Sequence, residues 1–189
     1  LSLHDALPIY KGYLRLENGH ITDGILQARN TLTQRTYGPC CSGTTHVLLS
    51  GMKDGDSAGL AAIQGQFGIV GVRCISENGH LTKKVVMCVN DGSGKEKAVE
   101  ELSFDREEIY LRINFDFVDN RDIARFYISS DGKTWQQLGG ELHMRYTLDH
   151  FMGYRIGLYS YCTKETGGYA DFEYFDFAVS EMTNKYLDQ

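Results

Sequence analysis

Carboxylate pairs are the first residues here that could do chemistry, because glycoside hydrolysis needs an acid and a second carboxylate at a fixed separation. Asp54 and Asp56 lie in a glycine-containing stretch, and Asp116, Asp119 and Asp122 lie in a polar stretch between two apolar runs. Such aspartates usually belong to solvated turns. The second group lacks the DxDxDG spacing and bidentate Glu of a calcium loop. We therefore expect no catalytic residue and no cofactor, with structural calcium as a minor alternative.

Other catalytic motifs are incomplete. The six histidines lack the HExxH spacing, the glycines of residues 65–71 do not form GxGxxG, and residues 91–95 lack Walker spacing. Residues 129–135 (SSDGKTW) are similar to the Asp box of sialidase-like propellers, but the motif is one residue too short and occurs once. It predicts a hairpin whose Asp-Gly pair turns the chain while Trp135 packs back onto the sheet.

The composition bounds the kind of protein that carries these residues. The chain has 189 residues, 42% of them hydrophobic and 23% charged, which is typical of one globular domain. Its apolar runs are far shorter than the roughly 20 residues of a membrane helix. A formal charge of -6 without a basic stripe argues against nucleic-acid binding. We expect neither membrane nor nucleic acid as a partner.

The elements that would position these residues are predicted to be β-strands. Short alternating runs of β-branched and aromatic residues are separated by Gly, Asn and Asp turns, which predicts an all-β sandwich. One helical turn is predicted at residues 148–152. The predicted strands cover residues 13–17, 25–28, 31–37, 45–50, 58–64, 68–76, 83–89, 98–104, 108–117, 123–129, 154–161 and 169–179.

Domain limits follow from the same pattern. Residues 1–11 are atypical for the start of a domain and are predicted to be foreign or incomplete, residues 12–180 form the sandwich, and residues 181–189 form a tail. The number of cysteines is odd, without CxxC spacing, so we expect neither a zinc site nor a disulfide framework. Buried thiols favour a reducing, cytoplasmic compartment, with export as the open alternative.

Tyrosines offer a candidate sugar-binding face, because flat rings stack on pyranose rings while the hydroxyl reaches polar groups. Strict alternation places Tyr169, Phe175 and Phe177 on one face of the last strand and Phe172 and Tyr174 on the other. The candidate face for xylan-type polysaccharides comprises four tyrosines, Tyr159, Tyr161, Tyr169 and Tyr174. Most tyrosines in strands are structural, so this face is an alternative rather than the leading hypothesis.

An ordered set of stretches resembles the C-terminal concanavalin A-like domain of family 43 glycoside hydrolases, the β-xylosidase and α-L-arabinofuranosidase group. Any one of them is weak alone, but their order and spacing are specific and extend over residues 12–178. They are residues 12–16 (GYLRL), 28–39 (ARNTLTQRTYGP), 52–60 (MKDGDSAGL), 126–135 (FYISSDGKTW), 151–158 (FMGYRIGL) and 167–175 (GGYADFEYF).

The resemblance implies an all-β, concanavalin A-like (jelly-roll) sandwich of two antiparallel sheets, and an accessory role. In that family a separate five-bladed propeller carries the catalytic carboxylates, and a loop of the sandwich narrows its pocket around xylo- or arabino-oligosaccharides. Here that loop comprises Tyr37, Gly38, Pro39 and Cys40, continuing to Cys41. Gly38 would permit a bend, Pro39 would stiffen it, and Tyr37 offers a ring to a sugar.

The resemblance thus implies a glycosidase fragment that lacks its propeller and does not itself catalyse. Two alternatives stay open. One is a free-standing carbohydrate-binding module for xylan-type polysaccharides, and the other is a module that only binds another protein.

Overall fold

The computed structural model describes residues 9–10, 12–90, 95–145 and 153–180. Within these residues, two short 3-10 helices accompany the strands, Ile25–Gln27 and Val118–Asn120. No helix within these residues is long and apolar enough to cross a membrane. The strands are β1 (Ile9–Tyr10), β2 (Tyr13–Glu17), β3 (Asn30–Arg35), β4 (Cys40–Leu48), β5 (Asp56–Ile63), β6 (Phe67–Glu77), β7 (His80–Asn90), β8 (Lys97–Phe104), β9 (Glu108–Asp116), β10 (Ile123–Ser129), β11 (Gln136–His143), β12 (Arg155–Cys162) and β13 (Tyr169–Ser180).

The strands form two sheets. Sheet A has seven strands in the order β1-β2-β13-β4-β9-β10-β11, and sheet B has six in the order β3-β12-β5-β6-β7-β8. Neighbouring strands in both sheets are antiparallel. The predicted all-β sandwich is confirmed.

The main core lies between the two sheets. Alternate residues of each strand point inward, so Leu111 and Ile113 of sheet A meet Leu60, Val70 and Ile156 of sheet B, all with no exposed area. Burying each such side chain stabilises the fold by roughly 1.5–3 kcal/mol. This packing fixes which residues face outward and can form a site.

A second apolar cluster covers the outer face of sheet B. Ile25 of the first 3-10 helix lies over Phe67, Ile69, Val86 and Tyr159, all of them buried. The prediction of a strand at residues 25–28 was wrong, because the apolar side chain of Ile25 is buried against a sheet face and not within a ladder. One face of this sheet is therefore partly covered by its own chain.

Two further differences concern strands. β11 was not predicted, because Leu138 and Leu142 are its only apolar side chains and two glycines interrupt the alternation. In β13 the register shifts between Phe172, which pairs with Val47, and Tyr174, which pairs with His46. This bulge reverses the alternation.

The bulge overturns the predicted faces of β13. Phe172, Phe175 and Phe177 all pack on the main core, whereas strict alternation had separated Phe172 from the other two. Tyr174 lies on the outer surface and is 40% exposed. The predicted helical turn at residues 148–152 lies outside the described residues.

Candidate functional site

The crossover loop, residues 36–39, joins β3 to β4. β3 is the edge strand of sheet B and β4 is an interior strand of sheet A, so these four residues link the two sheets at one end of the sandwich. Cys40 and Cys41, predicted to belong to the loop, are the first two residues of β4. The loop is therefore shorter than expected and ends directly in the sheet.

Hydrogen bonds hold both ends of the crossover loop. The backbone N–H and hydroxyl of Thr36 donate to the carbonyl oxygen of Tyr154 at 3.3 and 2.7 Å. The N–H of Phe117 donates to the carbonyl oxygen of Pro39 at 2.8 Å. The bend coincides with a cis Gly38-Pro39 peptide bond, and Gly38 has neither a positive φ nor a close neighbour, so the predicted need for glycine is not supported.

Tyr37 is the tip of this loop and is 54% exposed. Its ring contacts that of Phe177 edge to face, with 6.0 Å between centroids, and its N–H donates to Cys41 Sγ at 3.4 Å. Such an edge contact stabilises one orientation and leaves ring area and the hydroxyl in solvent. The tip is thus a fixed aromatic group that a ligand can reach.

Asp116 lies beside the loop, and its carboxylate already has hydrogen-bond and ion-pair partners. Its carboxylate accepts from the Val118 N–H at 3.0 Å, pairs with Arg121 at 2.9 Å and lies 3.8 Å from Cys40 Sγ. Burial, followed by the charge of Asp116, raises the pKa of the Cys40 thiol. The following turn holds Asp119 and Asp122 at positive φ.

The other candidate carboxylates also serve structure. Asp54 accepts from Lys164 and from the Ser76 N–H, and these contacts, Lys164 first, lower its pKa. Asp56 is buried and accepts from Asn18 at 2.8 Å and from the backbone of Lys53 at 2.7 Å, while burial raises its pKa. Within the described part of the chain, no group of three or more His, Cys, Asp or Glu is placed to hold a metal.

The four tyrosines of the alternative sugar face do not share a face. Tyr159 has no exposed area and Tyr161 has 4%, because both lie on the outer face of sheet B beneath the chain that covers it. Burial raises both pKa values, so their hydroxyls stay protonated. Tyr169 and Tyr174 belong to sheet A, and the guanidinium of Arg15 covers the Tyr169 ring at 3.7 Å.

The hairpin prediction at residues 129–135 is confirmed. Asp131 Oδ1 accepts from the N–H groups of Lys133 and Thr134 at 2.8 Å each, and Gly132 has a φ of +69°. Trp135 packs beneath the guanidinium of Arg112 at 3.9 Å. These residues form a turn and an anchor on the outer face of sheet A.

Sequence reasoning missed a cleft of about 830 Å³ on the outer face of sheet B. Arg73, Glu96 and Tyr161 lie on its floor and wall, where Glu96 accepts hydrogen bonds from both of the others. The available signal was Arg73 itself, an arginine within residues 67–75 of β6, which are otherwise apolar residues and glycines. The partner Glu96 is 23 residues away in sequence and could not be identified from local pattern.

Three comparisons place the chain among known proteins. It is 29% identical over 185 residues to a β-xylosidase of Formosa agariphila, covering 94% of this chain and 29% of that protein. A bifunctional GH43-CE protein of Bacteroides eggerthii is 41% identical with a TM-score of 0.85, covering 93% of this chain and 22% of the other.

A third relative is a GH43 glycoside hydrolase engineered to display both endo-xylanase and exo-arabinofuranosidase activity. It is 28% identical with a TM-score of 0.81, over 89% of this chain and 34% of the other. The chain thus spans about a fifth to a third of the relatives it matches.

The family model described as the β-xylosidase C-terminal concanavalin A-like domain matches residues 7–178, which include every strand except the last two residues of β13 and agree with the sandwich topology. The chain therefore belongs to the family of β-xylosidase C-terminal concanavalin A-like domains.

Proposed function

We propose that this chain is the accessory domain of a family 43 glycosidase and that its crossover loop forms one wall of the sugar pocket. Tyr37 carries the proposal, because it is a half-exposed ring on a loop whose backbone is held by Tyr154 and Phe117. Function is often placed on loops that a rigid sandwich positions. A fixed ring adds an apolar contact to a sugar at little entropic cost.

The catalytic residues belong, in this proposal, to a propeller domain on the same polypeptide. Support comes from the short share of each relative that this domain covers and from the engagement of Asp54, Asp56 and Asp116 in structural contacts. The sandwich would narrow the pocket and exclude water, which strengthens the electrostatic interactions within it.

The substrate class follows from the relatives. A β-xylosidase and an enzyme with endo-xylanase and exo-arabinofuranosidase activities share this domain, so we infer a xylan- or arabinoxylan-derived saccharide ending in a pentose. Tyr37 would contact the apolar face of a terminal sugar, and its hydroxyl would contact a sugar hydroxyl.

Replacement of Tyr37 in the full-length enzyme tests this proposal. One lost apolar contact changes transition-state binding by about 1–3 kcal/mol, so Tyr37→Ala should lower kcat/KM for an aryl pentoside roughly 10-fold or more. Tyr37→Phe keeps the ring and should retain most activity. Tyr174→Ala, on the outer face of sheet A, is the matched control and should change nothing.

The proposal would be overturned if Tyr37→Ala kept kcat/KM within twofold of the parent enzyme. It would equally be overturned if the purified 189-residue chain hydrolysed aryl pentosides and lost that activity when one of its own carboxylates was replaced.

A further inference from the structure

The cleft on the outer face of sheet B lies far from the crossover loop. β12 connects the two regions, since Tyr154 anchors the loop and Tyr161 lines the cleft. Seven residues of strand separate them, which is about 23 Å at the usual rise. A ligand in the cleft would therefore not contact Tyr37, and the two regions can be tested independently.

The size of the cleft suits a small ligand. Its volume of about 830 Å³ falls within the roughly 300–1,000 Å³ of small-molecule sites. Ser57 and Tyr161 of the sheet form its floor, and residues from three separate segments form its walls. The wall residues are Asp23, Gln27, Lys95, Glu96, Thr163 and Lys164.

Arg73 provides hydrogen-bond donors that the protein does not use. Its Nη2 donates to Glu96 Oε2, and it makes no other hydrogen bond with the described residues. Its side chain is 23% exposed and lines the cleft, so the Nε and Nη1 hydrogens are left to solvent or a ligand. A guanidinium mostly removed from water and bonded on one side only favours an oxygen-rich ligand.

Glu96 holds this guanidinium in place. Its carboxylate accepts from Arg73, from the Tyr161 hydroxyl at 2.9 and 3.1 Å, and from the Ile25 N–H at 3.1 Å. The Glu96 side chain is only 11% exposed. With its oxygens occupied, Glu96 orients Arg73 and is not itself open to a ligand.

The charges that line the cleft are balanced, which decides the class of ligand. Three cationic and three acidic side chains line it, so its formal charges cancel, and Arg73 and Lys164 also form ion pairs with Glu96 and with the neighbouring Asp54. An anion would gain little there. A neutral ligand rich in hydroxyls can accept from Arg73 and donate to Asp23, which is exposed at the rim.

We propose that this cleft is a second binding site, separate from the crossover loop, for a short neutral oligosaccharide. The site goes beyond the pocket-shaping role and does not depend on it, because binding would occur on the isolated sandwich. In the enzyme it would hold a part of the polysaccharide remote from the bond that is cleaved.

Calorimetric titration of the 189-residue chain with xylotriose tests the site. We expect a dissociation constant of about 1 mM or tighter. Arg73→Lys keeps the charge beside Glu96 but removes the guanidinium donors, and should weaken binding about 10-fold. Asp23→Ala removes an exposed acceptor whose carboxylate has no hydrogen bond or ion pair among the described residues, and should weaken binding about 3-fold. Tyr174→Ala, on the outer face of sheet A, is the control and should bind like the parent chain.

Tryptophan emission locates the ligand independently. Trp135 is the only tryptophan and lies on the outer face of sheet A, the opposite side of the sandwich from the cleft. Its emission should stay constant through the titration. A shift that tracks binding would place the sugar on sheet A and overturn the proposal.

Other results would also overturn the proposed site or its class of ligand. No heat with xylotriose at 10 mM, about ten times the expected constant, would overturn the site. So would unchanged affinity in both Arg73→Lys and Asp23→Ala. Binding of glucuronate without binding of xylotriose would overturn the neutral class of ligand. None of these outcomes affects the Tyr37 test, so the two proposals can fail separately.

Discussion

Replacement of Glu96 by alanine should be among the more destabilising single changes outside the main core. Three groups lose their acceptor at once: the Arg73 guanidinium, the hydroxyl of Tyr161 and the N–H of Ile25. Tyr161 is 4% exposed, so water cannot easily replace the carboxylate there. The same change detaches the segment before β8 from the 3-10 helix that covers sheet B.

The magnitude follows from these contacts. A buried hydroxyl or N–H without a partner costs about 1–3 kcal/mol. Arg73 keeps access to water through the cleft. The free energy lost when its pair with Glu96 is removed is therefore at the low end of that range, and well below the loss expected for a fully enclosed ion pair. Because the three effects share one network they are not additive, and we expect a total of about 3–5 kcal/mol.

Urea and thermal unfolding followed by circular dichroism measure this change. For a chain of this length, 1 kcal/mol shifts Tm by about 2–4 °C, so Glu96→Ala should lower Tm by roughly 10 °C. Glu96→Gln keeps an acceptor oxygen and should lose about half as much.

The matched control is Glu101→Ala on the same strand region, where the carboxylate is exposed and makes no hydrogen bond with the described residues. It should stay within about 0.5 kcal/mol of the parent chain. If Glu96→Ala were no less stable than Glu101→Ala, the network would not stabilise the fold and the reasoning would be refuted.

Two further predictions concern titration and reactivity. N–H groups of Thr134 and Lys133 lower the pKa of Asp131, so its stabilising contribution is present above the unfolded value near 3.9 and is lost as pH falls. Asp131→Asn should therefore flatten the fall of Tm in acid, and an equally steep fall would contradict this. Of the five thiols only Cys40 is not fully buried, and burial and Asp116 raise its pKa. A thiol reagent at pH 8 should label the native chain slowly and only at Cys40, whereas rapid labelling of two thiols would count against it.

Local alternation was sufficient to locate most strands. The bounds of β10 (Ile123–Ser129) were predicted to the residue, because it is a continuous apolar and aromatic run between polar turns. β11 escaped prediction because Gly139 and Gly140 leave it with two apolar side chains. Its position in the sheet comes from pairing with β10, which is tertiary information.

The side of the sheet to which each side chain points was harder to predict than the position of the strands. The bulge in β13 adds one residue opposite β4, and no residue type in YADFEYFDF marks where that occurs. Tyr159 and Tyr161 could have been open to sugar on the outer face of sheet B, but Ile25 and Glu96 come from distant parts of the chain to cover them. The cleft depends on the same long-range contacts and was invisible to local pattern for that reason.

The candidate loop was predicted through family resemblance and not through its own composition. Tyr37 and its neighbours resemble an ordinary strand connection, and the structure adds what makes them suitable, namely the anchors from Tyr154 and Phe117 and the edge contact with Phe177. The role of the loop in sugar binding stays a prediction until the Tyr37 variants are assayed.

The way the crossover loop is anchored separates the path of its backbone from the identity of the side chain at its tip. Both anchors use backbone carbonyls as acceptors, and the donors are the Thr36 side chain and two backbone N–H groups, so none of these bonds depends on the side chain at position 37. Mutation at the tip can therefore change the exposed group while the loop path is retained. The chemistry of one exposed position can thus vary at low cost to folding, whereas mutations at Thr36 would alter loop geometry and stability together.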